Sequence, residues 1–149
     1  MNIKEELHRL CVSALKQKVA EIESVIAERR EAIAGETKSS MGDKYETTRE
    51  MLQQDINMSL DRLNKVNAEL EALLHINTEI NHTTVNNGSV VTTNNGNYFL
   101  AVSAGKFLLE GQYYYAISGS SPIGTLLKGK QKGDSFHFNN KDYIVKDII

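Results

Sequence analysis

The chain has one cysteine, one proline and no tryptophan among its 149 residues. A lone Cys11 can form neither an intramolecular disulfide nor a cysteine metal cluster, so a reducing compartment is expected. No apolar run approaches the roughly 18 residues that a membrane-crossing helix requires. The opening residues, Met1 to Glu6, lack the apolar stretch of a signal peptide, and cytoplasmic localisation is the expectation. The four histidines, His8, His75, His82 and His137, show no ligand spacing and read as surface or packing residues. Gly35–Lys44 lacks both the Gly-Lys-Ser/Thr ending and the preceding strand of a phosphate loop. A net charge of −2 argues against free duplex nucleic acid as the main partner, and independent sequence-specific DNA binding is not expected.

What is present divides into two halves. Residues 1–75 carry 11 Lys and Arg against 14 Asp and Glu, a net of −3, whereas residues 76–149 carry 6 against 5, a net of +1. Residues 3–34 contain neither proline nor glycine. Within them Val12, Leu15, Val19, Ile22, Ile26 and Ile33 recur at steps of about three and four, with Arg29 interrupting the series. That is the apolar seam of a coiled coil. Residues 44–75 repeat it through Leu52, Ile56, Leu63, Val66, Leu70 and Leu73, with Ser59 at one seam position. Asp43 and Glu46 stand at the spacing of a capping box ahead of this second run.

Between the two runs, Gly35–Tyr45 is rich in glycine and small hydroxyl residues and reads as a turn. An antiparallel helical hairpin over 1–75, with its tip at 35–45, is therefore expected. One continuous helix paired with a second copy is the competing arrangement. Gly35 and Gly42 weigh against it, since each costs about 1 kcal/mol relative to alanine in a helix interior.

Composition changes near His75, and residues 76–149 form the second expected domain. Asn87-Gly88 and Asn95-Gly96 are hairpin-turn dipeptides. Strands are expected at Ser89–Thr93, Tyr98–Val102, Gln112–Ser118, Ser135–Phe138 and Tyr143–Ile148, with a further short one at Lys106–Leu109. Ser121 caps a short helix whose first residue is Pro122. The expected class is α+β: the hairpin, plus a small antiparallel β domain with one short helix.

Three features could carry function. Glu36, Asp43 and Glu46 cluster at or beside the turn, where carboxylates can share Mg²⁺ with ligands from a second molecule; capping and solvation are the alternative roles. Lys128-Gly-Lys130-Gln-Lys132 is a basic turn, either a solvated loop or a contact for an acidic partner. Tyr113-Tyr114-Tyr115 alternates across a strand, so that one or two tyrosines face outward.

Two motifs then resemble one family. Gly42-Asp-Lys-Tyr45-Glu-Thr-Thr-Arg49-Glu50 is similar to the segment leading from the tip into the second helix of the Gre transcript-cleavage factors of bacterial RNA polymerase. Ser121-Pro122-Ile123-Gly124, followed by Leu127, Gly129-Lys130, Gly133-Asp134 and Tyr143, looks like that family's closing pattern. The resemblance spans nearly the whole chain. It implies an FKBP-like C-terminal domain that binds the rim of the polymerase secondary channel through Ser121, Pro122, Ile123 and Gly124. The coiled-coil tip then enters the channel toward the RNA 3′ end. Tip carboxylates assist the polymerase's own Mg²⁺, so the factor is not itself an enzyme and carries no cofactor of its own.

In that family an acidic pair precedes the tip tyrosine by seven and four residues. Counted back from Tyr45, those positions are Lys38 and Met41. Glu36 and Asp43 are the neighbouring carboxylates, and Lys38, Ser39, Ser40, Lys44 and Tyr45 are the other expected tip contacts. The reading is an elongation factor-like protein that modulates elongation or stimulates cleavage of backtracked RNA. Its alternatives are a regulator or inhibitor of the same fold without cleavage activity, a helical-hairpin module of another complex, and, on the FKBP-like resemblance alone, a prolyl isomerase.

Overall fold

The computed structural model describes the backbone of residues 2–36 and 42–149, and the side chains of 2–35 and 46–149. Its elements are α1 (Ile3–Glu36), α2 (Gly42–Leu74), β1 (Val90–Thr93), β2 (Gly96–Ala101), β3 (Gly105–Leu109), β4 (Gln112–Ser118), α3 (Pro122–Leu127), β5 (Ser135–Phe138) and β6 (Lys141–Ile148). The class is α+β.

Both long helices extend beyond the expected limits. Gly35 lies within α1 and Gly42 begins α2, so the turn expected over Gly35–Tyr45 is helical at both ends. Residues 37–41 lie outside the described residues. Asp43 falls in the first turn of α2 rather than ahead of it, which corrects its expected place as the cap. A terminal glycine costs a helix only about 1 kcal/mol, which the pairing of the two helices further along can offset.

The two helices run antiparallel. Between residues 15 and 70, Lys18 and Ile22 line a hollow with Ser59 and Arg62, and Arg29 Nε lies 3.5 Å from Asp55 Oδ2, so α2 partners fall in number as α1 positions rise. By contacts the chain forms two compact units, Met1–Ala14 with Glu71–Ile149, and Leu15–Leu70. The division thus cuts both helices, whereas the expected boundary at 75/76 followed the change of element type.

In the Leu15–Leu70 unit, Leu15, Ile22 and Ile26 of α1 and Ile56, Ser59 and Val66 of α2 are buried, at the spacing the sequence shows. In the other unit the α1 series continues backward through Cys11, Leu7 and Lys4, all buried. Val12, expected to extend the seam, is only half-buried. Steps of four, four and three back from Leu15 keep one face of a 3.6-residue helix, and that face belongs to Cys11.

The sheet has the order β3-β4-β2-β1-β6-β5. It is mixed, not antiparallel as expected: β2 and β4 pair in parallel, Asn97 opposite Tyr114 and Ala101 opposite Ser118. After β2 the chain crosses to the sheet edge, forms β3, and returns as β4 between β3 and β2. β3 is antiparallel to β4, and β4 runs in the same direction as β2. Glu110 and Gly111, both at positive φ, close that β3–β4 hairpin.

Asn95-Gly96 lies at the β1–β2 turn, whereas Asn87-Gly88 forms a turn leading into β1 rather than joining two strands. Asparagines lock the first turn. Asn94 and Asn95 each donate through Nδ2 to Asp142 O, at 3.0 and 2.8 Å, and Ile144 N donates to Asn94 Oδ1 at 2.7 Å.

The core on one face of the sheet comprises Val85, Val91, Tyr98, Leu100, Leu127, Tyr143 and Val145. Ile117, Ile123, Phe136, Phe138 and Ile148 pack at its margin. Phe136 stacks on Tyr143 with centroids 4.9 Å apart.

Candidate functional site

The turn from β4 into α3 is the most tightly determined of the expected contact regions. Ser121 Oγ donates to Ser118 O at 2.6 Å and accepts from Gly124 N at 3.1 Å, so one hydroxyl closes the turn and caps the helix. Thr125 Oγ1 donates to Ser121 O at 2.8 Å. Ser118 and Ser120 hydroxyls share a further bond of 2.8 Å. A Cβ added at Gly124 would meet Ser118 O at 2.1 Å, so no residue but glycine fits there without moving backbone. Pro122 and Ser120 are exposed, while Ile123 is half-buried against the core. Ser121, Pro122, Ile123 and Gly124 therefore come together as a rigid knuckle whose polar groups are largely satisfied internally. Its outward offering is shape and the Pro122 ring.

The tip contributes less that can be described. Glu36, Lys38, Ser39, Ser40, Asp43, Lys44 and Tyr45 have side chains outside the described residues. Glu46 is exposed and, with Arg49, Glu50 and Gln53, lines a concavity of about 420 Å³ on α2. Two carboxylates and a guanidinium thus share one stretch of helix surface. No group of three or more metal-ligating side chains occurs among the described residues.

A third region was singled out from sequence only at its Lys128–Gly129 edge, the start of the basic turn. A cleft of about 530 Å³ is lined by residues 81–86 together with Lys128 and Gly129. Backbone bonds join its walls: Val85 N donates to Lys130 O and Gly129 N to Val85 O, both at 2.9 Å. His82, in its lining, contacts Lys4, which is only 1% exposed. Its Nζ donates to Ile80 O at 2.6 Å and lies 3.4 Å from His82 Nδ1. Burial holds the Lys4 ammonium below the ordinary lysine range. Burial, and then the Lys4 charge, hold His82 below the ordinary histidine range, partly offset by a backbone hydrogen bond with Ile149.

The remaining histidines are also engaged: His8 with Leu73 O, His75 with Glu71 O, and His137 with Asp142. Cys11 is buried, and its thiol is pushed up to about 12, which leaves it inert as a nucleophile near neutral pH.

In the basic turn, Lys128 and Lys132 are exposed and Lys130 is half-buried. No carboxylate among the described residues forms an ion pair with any of the three. Of the three consecutive tyrosines, Tyr113 and Tyr115 are exposed and Tyr114 is buried, as strand alternation requires. The Lys106 ammonium sits 4.3 Å above the Tyr113 ring.

No helix among the described residues is long and apolar enough to cross a membrane. No protein-family model, curated protein or solved structure matches the chain.

Proposed function

We propose that the chain is a secondary-channel factor of bacterial RNA polymerase, resembling the Gre factors, that modulates elongation in the cytoplasm. The observation that carries this reading is the antiparallel pairing of α1 and α2, two helices of 34 and 33 residues whose connection spans no more than residues 37–41. Helices of that length, at 1.5 Å per residue, are about 50 Å long, enough to carry a short loop deep into a partner. The three-and-four spacing of their buried residues supports a coiled coil. The mixed sheet with its capped α3 plays the part of the FKBP-like docking domain.

Each part has an assigned task. The Ser121–Gly124 knuckle gives the polymerase a fixed surface, because its geometry is set by internal hydrogen bonds and needs no ordering on binding. Glu36, Asp43 and Glu46 are the carboxylates available to the polymerase Mg²⁺, supporting hydrolysis by the polymerase's two-metal centre. Lys38, which stands where the family has an acid, meets RNA phosphate or nucleotide instead. This exchange favours a modulator whose effect on cleavage is weaker than that of the cleavage factors.

Binding to purified core polymerase tests the reading. Saturable binding at or below micromolar concentration, with protection of the channel rim, is expected. Pro122→Ala together with Ile123→Ala should weaken it at least tenfold, and Asp43→Ala should leave it within twofold. No binding at micromolar concentrations overturns the proposal.

A further inference from the structure

We propose that the cleft between residues 81–86 and Lys128–Gly129 is a binding site for a phosphate group. The inference is independent of the polymerase reading and rests on a different part of the chain.

The lining is one-sided in charge. Lys128 is the charged side chain at its wall, and no carboxylate among the described residues lines it. Thr83 and Thr84 contribute hydroxyls, and Asn81 and Asn86 contribute amides, so potential donors come from several directions. The Lys128 ammonium is exposed and makes no ion pair with a carboxylate among the described residues, which leaves it available to an anion.

Lys4 is the second and independent observation. Its side chain is 1% exposed, yet no carboxylate among the described residues forms an ion pair with it. A buried ammonium is costly unless something compensates it, and here one carbonyl and one imidazole are its polar partners. Its uncompensated charge lies 3.4 Å from His82 Nδ1, and His82 lines the cleft. Charge in contact with a poorly solvated ring of the lining is screened less than charge across water, so it raises the potential where an anion would sit.

The same contact fixes the role of His82. Because the Lys4 ammonium can only donate, Nδ1 carries the lone pair and the proton is on Nε2. His82 is then a neutral imidazole in the cleft wall, with the Lys4 ammonium at its Nδ1, and not a general base. The site accordingly binds rather than hydrolyses. A phosphate group, with several acceptor oxygens, matches one lysine plus scattered hydroxyls and amides better than a single carboxylate does. A volume of about 530 Å³ also exceeds what one inorganic phosphate fills, which leaves room for the rest of a phosphate monoester.

Amide-resolved NMR titration of the full chain, at constant ionic strength, tests the proposal. One arm uses inorganic phosphate and the other glycerol phosphate, a simple monoester. Saturable shifts confined to residues 81–86 and 128–129 are expected in at least one arm. Tighter binding of the monoester assigns the site to an esterified ligand, and equal or tighter binding of inorganic phosphate assigns it to the free ion.

Lys128→Gln should weaken binding at least tenfold, whereas Lys132→Gln, the same charge loss outside the cleft, should change it less than twofold. Lys4→Met should weaken it several-fold although Lys4 touches no ligand. Should Lys4→Met fail to fold, the Lys128 and Lys132 pair decides alone. Equal losses from those two variants, or shifts spread over all the lysines, mean general charge attraction and overturn the site.

Discussion

The two compact units are held together by different means. Leu15–Leu70 relies on a single seam in which each residue touches what the helix period brings round. Even there, Ser59 occupies a buried place and Arg29 with Asp55 supplies an ion pair at its edge. The unit containing the sheet relies on contacts that no period fixes: asparagines bonded across some fifty positions, a hydroxyl that closes a turn and caps a helix, and a glycine with no room for a methyl group. The first kind of structure tolerates change at any one place because the rest of the seam persists. The second fails at particular atoms.

Glycine replacement puts this contrast to its sharpest test. Gly124→Ala in the sheet unit drives a Cβ into the Ser118 carbonyl and should destabilise the protein by about 3 kcal/mol or more, read by chemical denaturation. Next in size, Ile22→Ala in the helical unit should cost about 2 kcal/mol, the low end for a buried isoleucine, because a two-helix seam can partly close over the gap. Thermal unfolding followed by helical circular dichroism would show it. If Ile22→Ala proved the more damaging of the two, the contrast between the units would be wrong.

Acidity should separate the units as well. His82 is held below its ordinary value, so it is neutral in both the folded and unfolded chain only well above about pH 6.5. As the pH falls below that, the unfolded chain takes up the proton first, and the stability of the sheet unit is lost through the folded His82 value. Amide exchange in residues 76–90 should therefore accelerate on going from pH 7 to pH 5 more than exchange in residues 15–30, after correction for intrinsic rates. Lys4→Met, which removes the neighbouring charge, should flatten that dependence.

The smallest effect has the opposite sign to the first. Gly35→Ala lies in α1 with nothing within 4 Å of the added Cβ and should stabilise the helix by up to about 1 kcal/mol.

The same contrast decides what could be read from the residues alone. The helical seam was legible from Leu15 to Leu73 because burial on a helix follows a period, and Ser59 is buried where the period places it. Reading faltered where period and residue type conflict: Lys4 and Cys11 lie on the buried stripe, but a lysine is not assigned to a core without knowing that a carbonyl and a histidine await it. Strand positions were close to those observed, since β-rich runs and turn dipeptides are local signals. The parallel pairing of β2 with β4 was not legible, because which strand lies beside which depends on where β3 folds back.

At the candidate site, the Ser121-Pro122 cap was readable as a local motif, and its bonds are in place. The cleft at residues 81–86 was not. Residues 81–86 are 42 or more positions from Lys128, and the lysine that contacts His82 lies near the start of the chain.

The proposed function divides the labour: the sheet unit docks, and the loop joining α1 and α2 acts. A stalled, backtracked transcription complex tests it most directly, scored for 3′-RNA shortening and for renewed extension with the intact chain, with Glu36→Ala/Asp43→Ala, and with Pro122→Ala/Ile123→Ala. The intact chain should change one of the two rates. The tip variant should bind polymerase normally yet lose that change, and the knuckle variant should regain it at higher concentration. An intact chain that leaves both rates unaltered at saturating concentration, or tip and knuckle variants that lose affinity equally, would contradict the account.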